Sequence, residues 1–151
     1  MPNTQAMTTS FKGEILTATH NFGTAPTRGS GAADTFKAAL YLTTATLGAG
    51  TTAYTVTNEV SGAGYSPGGV TVTNATAPAT SGTTAYWTPS ASITYSSVTL
   101  STAFDAVLIY NSSQSDKAVS VHTFGSQTIT AGTFTLLMPA NAAGTALLNI
   151  A

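Results

Sequence analysis

The side chains that could do chemistry are few and lie far apart along the chain. No two acidic residues stand at a spacing that predicts a carboxylate pair or a calcium-binding loop. Serine, histidine and aspartate are all present, but catalysis needs a positioned partner, and the two histidines fall on different predicted elements. The sequence therefore predicts no catalytic residue, no metal site and no cofactor, and we expect a protein that is not an enzyme. The residues considered are Glu14, Asp34, Glu59, Asp105, Asp116, His20 and His122.

Three weaker signals have structural interpretations beside the functional ones. His122 is expected to be an exposed strand residue, or an intersubunit hydrogen-bond donor, rather than a catalytic base. The glycine run in residues 58–70 lacks the Lys-Ser/Thr pair of a phosphate-binding loop, so it predicts a turn with a close backbone approach. Five aromatic residues could form a sugar-stacking surface, although aromatics in β proteins more often pack loops against the core. They are Tyr54, Tyr65, Tyr86, Trp87 and Tyr95.

The low charge is the most informative property of the composition. Charged residues make up 6% of the chain, against roughly 25% in an ordinary soluble domain. A free monomer needs charge for solubility and to protect the edges of its sheets. Threonine, serine, alanine and glycine supply the surface instead, and such a surface is desolvated at little cost. The composition therefore favours a chain that packs among copies or partners, with an unusually uncharged β protein as the alternative.

Charge and hydropathy also disfavour several classes of function. With four Lys and Arg residues and a formal net charge of −1, the chain cannot neutralise several phosphates, so we expect no direct nucleic-acid binding. The absence of cysteine removes thiolate chemistry and disulfides. The first residues lack the pattern of a secretory signal, and no apolar run approaches the roughly 20 residues that span a bilayer. We expect a protein made in the cytoplasm that does not enter a membrane.

The elements are organised around one predicted hairpin. The segments FDAVLIY (residues 104–110) and KAVSVHTF (117–124) predict two antiparallel strands, joined by the turn-forming run NSSQSD. The first strand is apolar on both faces, so it must be covered on both faces. In the first strand, one predicted face comprises Phe104, Ala106, Leu108 and Tyr110, and the opposite face comprises Val107 and Ile109. In the second strand, the predicted inward residues are Val119 and Val121, and the predicted outward residues are Ser120 and His122.

The remaining segments predict an all-β domain preceded by a helix. An extended arm leads to a short helix over about residues 10–20, with Ser10 as its N-cap. A loop over residues 21–34 carries Arg28 at its tip. Further strands are expected at residues 35–42, 69–74, 92–100, 133–138 and 145–150, with a bulge near residues 96–97.

These elements predict an antiparallel β-sandwich, jelly-roll-like, with a short N-terminal helix and arm. We divide the chain into residues 1–30, which comprise the arm, the helix and the loop, and residues 31–151, which form the β-sandwich domain. The sequence contains no exact internal repeat that would suggest a second domain.

Four stretches taken together resemble a family of small structural proteins of tailed-bacteriophage virions. They are FKGEILTATHNF (residues 11–22), TFKAALYL (35–42), NEVSGAGYSPGGV (58–70) and residues 104–124 with the Thr-rich, apolar C-terminus that follows. Their order and spacing cover nearly the whole chain. The resemblance implies a component of the phage particle. It transfers no functional residue, because the family has no catalytic motif to match.

Two functions are compatible with that resemblance. The first is a capsid decoration or cement protein, assembled as a homotrimer, that binds the major capsid protein or other virion proteins and stabilises the head lattice through apolar and polar contacts. The second is a neck or tail component, or a tail-associated module that binds host-surface carbohydrate. Small size and low charge favour the first. The expected location is the virion, after synthesis in the cytoplasm of the bacterial host.

The candidate docking residues lie near both ends of the chain. Isolated helices shorter than about 12–15 residues are marginal in water, so something else must bury the apolar side of the predicted helix. We predict that residues 1–22 dock on another subunit or on the capsid, and that the C-terminal strand adds to this surface. The predicted docking residues are Phe11, Ile15, Leu16, Leu147, Leu148 and Ile150.

Overall fold

The structure is a computed structural model that describes residues 3–16, 18–23 and 33–151. Most of the predicted loop over residues 21–34, with Arg28 at its tip, lies outside the described residues, as do the first two residues of the predicted arm. In the described part the elements are β1 (Ala6–Met7), α1 (Thr9–Leu16), β2 (Phe36–Leu42), β3 (Val70–Thr71), β4 (Ala79–Ser81), β5 (Thr84–Trp87), β6 (Ile93–Asn111), β7 (Lys117–Leu136) and β8 (Leu148–Ile150).

The strands form two antiparallel sheets, which confirms the predicted all-β sandwich class. The five-stranded sheet has the order β1-β7-β6-β2-β3, and the three-stranded sheet has the order β4-β5-β8. The predicted hairpin is the centre of the larger sheet, but its strands are much longer than expected, with 19 residues in β6 and 20 in β7. The strands predicted at residues 92–100 and 133–138 are the far ends of these same two strands.

Both faces of the central strands are buried, as the sequence predicts. One core cluster lies on the face that includes Val107 and Ile109, and it also contains Phe36 and Leu40 of β2. A second cluster on the opposite face includes Leu108 with the buried rings of Tyr41 and Tyr110. A fully buried aliphatic side chain of this kind contributes about 1.5–3 kcal/mol. The central hairpin is therefore the main source of hydrophobic stabilisation for both clusters.

Two of the predicted face assignments are wrong because the hairpin contains bulges. Phe104 packs in the cluster of Val107 rather than with Leu108, since the register of β6 and β7 shifts between Phe104 and Ala106. Val119 and Val121 lie in different clusters, because a second shift separates the β6 residues Ile109 and Tyr110. Each shift reverses the alternation of side chains beyond it. The bulge predicted near residues 96–97 is present, with a register shift there and Ser97 at a positive φ of 54°.

The described residues of the N-terminal segment pack on their own chain, and their docking on another subunit or on the capsid stays a prediction. β1 pairs with β7, placing Ala6 opposite Val121. Phe11 is 1% exposed and belongs to the larger core cluster. The helix begins two residues earlier than predicted, because Thr8 and not Ser10 is its N-cap: the Phe11 amide donates to Thr8 Oγ1 at 3.3 Å. It ends at Leu16, well before the predicted end at residue 20.

The glycine run of residues 58–70 is a turn with close backbone approaches, as predicted. A Cβ atom added to Gly69 would overlap the carbonyl oxygen of Ala38, and one added to Gly62 would overlap that of Thr99. Gly69 also has a φ of 69°, which favours glycine. These contacts hold the segment against β2 and β6. Among the described helices, none is long and apolar enough to cross a membrane.

Candidate functional site

A cleft with a volume of about 160 Å³ lies between α1, β5 and β8. Ile15 and Ile150 line it with 38% and 42% of their surface exposed. Phe11 and Leu148 line it as well, but they are almost fully buried and form its floor. The structure therefore brings four of the six predicted docking residues together. Of these four, only Ile15 and Ile150 offer substantial apolar surface to a partner.

Of the other two predicted docking residues, one lies in a second cleft and the side chain of the other is outside the described residues. Leu147 is half-buried and lines a second cleft, of about 230 Å³, beside His122. The helix ends at Leu16, but the side chain of Leu16 lies outside the described residues.

Phe22 and Trp87, which are not among the predicted docking residues, build one wall of the first cleft. Phe22 stacks on Phe36 with ring centroids 4.5 Å apart, and it lies 4.8 Å from Trp87. Trp87 Nε1 donates to the Thr76 carbonyl oxygen at 2.8 Å, which satisfies the buried indole. Phe22 follows the helix without any periodic pattern, so its contribution could not be predicted from spacing.

The pairing of β5 with β8 explains why these distant segments meet. Trp87 lies opposite Leu148, and Ala85 lies opposite Ile150. The short C-terminal strand is thereby fixed beside the helix. The cleft is consequently made by residues from three separate parts of the chain, each held by its own pairing or packing.

A buried polar network lies behind the helix and fastens it to the hairpin. Glu14 accepts from Lys117 Nζ at 2.6 Å and contacts His20 Nε2 at 2.7 Å. Asn111 Nδ2 lies 3.0 Å from His20 Nδ1 and donates to Asp34 Oδ2 at 2.8 Å. Both ring nitrogens of His20 are thus occupied. The network joins α1, the segment after it and both ends of the hairpin turn into one hydrogen-bonded unit.

The electrostatics of this network fit a structural role. Burial raises the pKa of the Glu14 carboxyl, but the hydrogen bonds and charges of Lys117 and His20 outweigh burial and hold this pKa below its ordinary value. Burial lowers the pKa of His20, and the neighbouring Glu14 only partly offsets that shift. Among the described residues, no group of three or more His, Cys, Asp or Glu side chains is placed to hold a metal ion.

A serine–histidine pair is present on β7 beside the second cleft. Ser120 Oγ lies 2.9 Å from His122 Nε2, a distance at which a histidine can hydrogen bond a serine nucleophile. Ser120 is only 1% exposed, and no carboxylate is hydrogen bonded to His122 in the described part of the chain. Burial lowers the pKa of His122 to about 4, so the ring is neutral at pH 7. The expectation of an exposed His122 is therefore wrong, since the ring is half-buried and partnered.

A second nucleophile motif was missed at the sequence level. Residues 64–68, GYSPG, match the G-x-S-x-G pattern of the hydrolase nucleophile elbow. That elbow needs a turn from a strand into a helix, whereas Ser66 lies in a turn closed by the Gly69 amide donating to its carbonyl at 3.0 Å and followed by β3. The match is therefore one of sequence and not of structure.

The five aromatics considered for sugar stacking do not share an exposed surface. Trp87 and Tyr95 are each 2% exposed. Tyr54 and Tyr65 donate their hydroxyls to the buried Glu59 carboxylate at 2.6 and 2.7 Å. These tyrosines therefore anchor the loop of residues 54–68 to the core, which is the alternative that the sequence analysis named for them.

Two long stretches of the sequence carry no charged residue. Residues 60–104 and 118–151 contain no Asp, Glu, Lys or Arg. These stretches supply the whole three-stranded sheet and the half of the hairpin away from its turn. Several of the described charged residues lie near the turn of the hairpin, where Lys117 contacts Glu14, whereas Asp105 accepts a hydrogen bond from Asn3 in the middle of β6. The uncharged half, as we call residues 60–104 and 118–151, carries the exposed Leu137 and Ile150 and most of the first cleft.

Comparisons of this chain with family models, with curated proteins and with solved structures give no match.

Proposed function

We propose that this protein is a structural component of a tailed-bacteriophage virion, and specifically a capsid decoration or cement protein. The observation that carries the proposal is the uncharged half of the fold. Charge is depleted at the centres of protein interfaces, and a surface of hydroxyl and small apolar groups can be covered without leaving ions unpaired. Such a surface suits a chain that stays bound to other proteins.

The proposed partners are the major capsid protein or other virion proteins, together with further copies of the chain as a homo-oligomer, for which we propose a trimer. The cleft between α1, β5 and β8 is the proposed contact to the partner, with Ile15 and Ile150 as its exposed apolar residues. The role requires no cofactor, no catalysis and no direct contact with nucleic acid. The protein would act in the virion after synthesis in the bacterial cytoplasm.

Quantification of the chain in purified particles tests this proposal. We expect a copy number in fixed proportion to the major capsid protein over the whole head. A copy number that matches only a single ring of subunits would instead support a neck or tail component, which is the alternative role. Absence of the chain from purified particles would overturn both.

A matched pair of variants tests the contact surface. Ile150→Asp places a charge in the cleft, whereas Val56→Asp places one at a position that is 64% exposed and outside the cleft. We expect Ile150→Asp to lose binding to particles made without the chain, and Val56→Asp to bind like the unmodified protein. Because the chain has few charges, moderate salt should release neither the unmodified protein nor Val56→Asp from the particles. Equal binding by both variants would remove the cleft from the interface.

A further inference from the structure

β7 has one long edge without a partner. Along one side it pairs with β6 from Lys117 to Leu136. Along the other side, in the part of the chain that the structure describes, partners reach only its first residues: Ala53 bridges Lys117, and β1 pairs with Ser120 and Val121. Residues 123–136 have neither a strand nor a backbone hydrogen bond on that side among the described residues. We call residues 123–136 the open edge.

The open edge carries none of the side chains that block edge pairing. It contains no Lys, Arg, Asp, Glu or Pro, the residues with which exposed edges are usually protected. Residues 125–128 are all exposed, and a Cβ added to Gly125 would meet no atom within 4 Å. Register shifts interrupt the pairing with β6 between Thr123 and Gln127, between Gln127 and Ile129 and between Ile129 and Gly132, and Ala131 has a positive φ of 46°. The strand is therefore bent, and the extended segments that it offers to a partner are short. Space and hydrogen-bonding groups are thus both present beside residues 123–130.

Unpaired backbone N–H and C=O groups in a row select another extended strand as their partner. The other outer strands of the described sheets are short: β1 and β3 have two residues each, and β4 and β8 have three each. Among the outer strands that a second copy could offer, the one whose length matches the open edge is therefore the open edge of that copy. Two identical edges meet antiparallel across a two-fold axis, and neither brings a charge that would repel the other.

We propose that two copies of this chain pair through their open edges, so that the two five-stranded sheets join into one continuous sheet. This inference does not rest on a role in a virion. This two-fold contact differs from the contact that would form the trimer proposed above, because an edge that pairs with its own copy joins two chains and not three.

Charge placed on the open edge tests the proposal with the full-length protein. In the double variant Ser126→Lys/Thr128→Lys, two exposed side chains become cations that would face the same cations of the second copy. The control Ser81→Lys/Thr83→Lys adds equal charge at exposed positions around the β4–β5 turn. Sedimentation velocity over a range of concentrations gives the mass of each species, and thermal unfolding shows that the variants are folded. We expect the unmodified protein and the control to contain an even number of chains, two if the open edge is the sole contact and six if the proposed trimer forms as well. The edge variant should contain half that number.

Single cysteines give a second readout that does not depend on destabilising the dimer. The natural chain has no cysteine, so cysteines introduced one at a time at residues 125–130 can form a disulfide only between copies. Antiparallel two-fold pairing predicts rapid cross-linking at positions near the axis and little at Ser81→Cys. The proposal is overturned by a monomer at all concentrations without position-dependent cross-linking, or by a trimer whose mass is the same in both lysine variants. The second result would leave the trimer proposal standing.

Discussion

Lys117 Nζ lies 2.6 Å from Glu14 Oε1, and this ion pair ties α1 to the first residue of β7. The Lys117 side chain is 40% exposed and that of Glu14 is 15% exposed. Water therefore screens the pair, and exposed pairs of this kind typically contribute less than about 1 kcal/mol. The ion pair is one member of the network that includes His20, rather than the sole attachment of the helix.

We expect the coupling between these two residues to be small but measurable. A double-mutant cycle with Glu14→Gln and Lys117→Met should give a coupling free energy of about 0.5 kcal/mol in urea unfolding, and added salt should reduce it. The matched cycle with Lys12→Met, which changes an exposed lysine of the same helix, should give a coupling near zero. Equal coupling for the two lysines would show that the contact does not contribute specifically.

Because His122 is buried with a lowered pKa, we expect the protein to lose stability in mild acid. Burial lowers its pKa to about 4 from the ordinary value of 6.5, so between these pH values the unfolded chain binds a proton that the folded chain does not. Stability is therefore complete above pH 6.5 and falls as the pH drops toward 4, by on the order of 1–3 kcal/mol.

Urea unfolding at a series of pH values measures this effect. In His122→Gln the part of the pH dependence that belongs to His122 should disappear. His20, whose pKa is also lowered, acts in the same direction and remains in both proteins as a common background. An unchanged slope in His122→Gln would show that this ring is solvated in the folded protein.

The N-cap of α1 is Thr8 in the structure, whereas the sequence predicts Ser10. Thr8 is fully buried, and its Oγ1 accepts from the Phe11 amide and donates to the Ala118 carbonyl oxygen at 3.0 Å. Thr8→Ala should cost about 1–2 kcal/mol, the effect of a lost cap together with a lost buried hydroxyl. Ser10→Ala should cost less than about 0.5 kcal/mol, because Ser10 is a partly exposed residue within the helix. The denaturant midpoints of the two variants show which residue is the cap. A lower midpoint for Ser10→Ala than for Thr8→Ala would identify Ser10 as the N-cap.

The hairpin was predictable because residues 104–110 are apolar on both faces of the strand apart from Asp105, and a run of turn-forming residues follows them. Its bulges were not, since an inserted residue leaves no mark in the pattern except a change of phase, and such a change was visible only near Ser97. Phe104 and Val119 were misassigned for this reason. The length of β6 and β7 was also hidden, because their outer halves are rich in threonine and serine and look like connections between shorter strands.

The candidate site was only partly predictable, because its residues meet through tertiary pairing. Helical spacing selected Ile15, and the apolar C-terminus selected Ile150, but nothing in the sequence places Trp87 between them. Ser120 and His122 are assigned to the same outward face of one strand, which places their side chains next to each other, but the pattern does not show that Ser120 is buried. The long uncharged stretches at residues 60–104 and 118–151 are visible without any structure.

The glycine run offers a test of close backbone approach against simple backbone strain. Gly69 precedes Val70, which pairs with Ala38, and a Cβ at Gly69 would overlap the Ala38 carbonyl oxygen. Gly69→Ala therefore combines a clash with a positive φ, and we expect a loss of about 3 kcal/mol or more.

Two further glycines separate these causes. Gly82 has a φ of 57° but open space around a Cβ, so Gly82→Ala should cost about 1 kcal/mol from strain alone. Gly125 has open space without a positive φ, so Gly125→Ala should stay within about 0.5 kcal/mol of the unmodified protein. Urea unfolding of the three variants should rank them in this order. If Gly69→Ala were no worse than Gly82→Ala, the segment before β3 could move away from β2 at little cost, and the close approach would not be a fixed part of the fold.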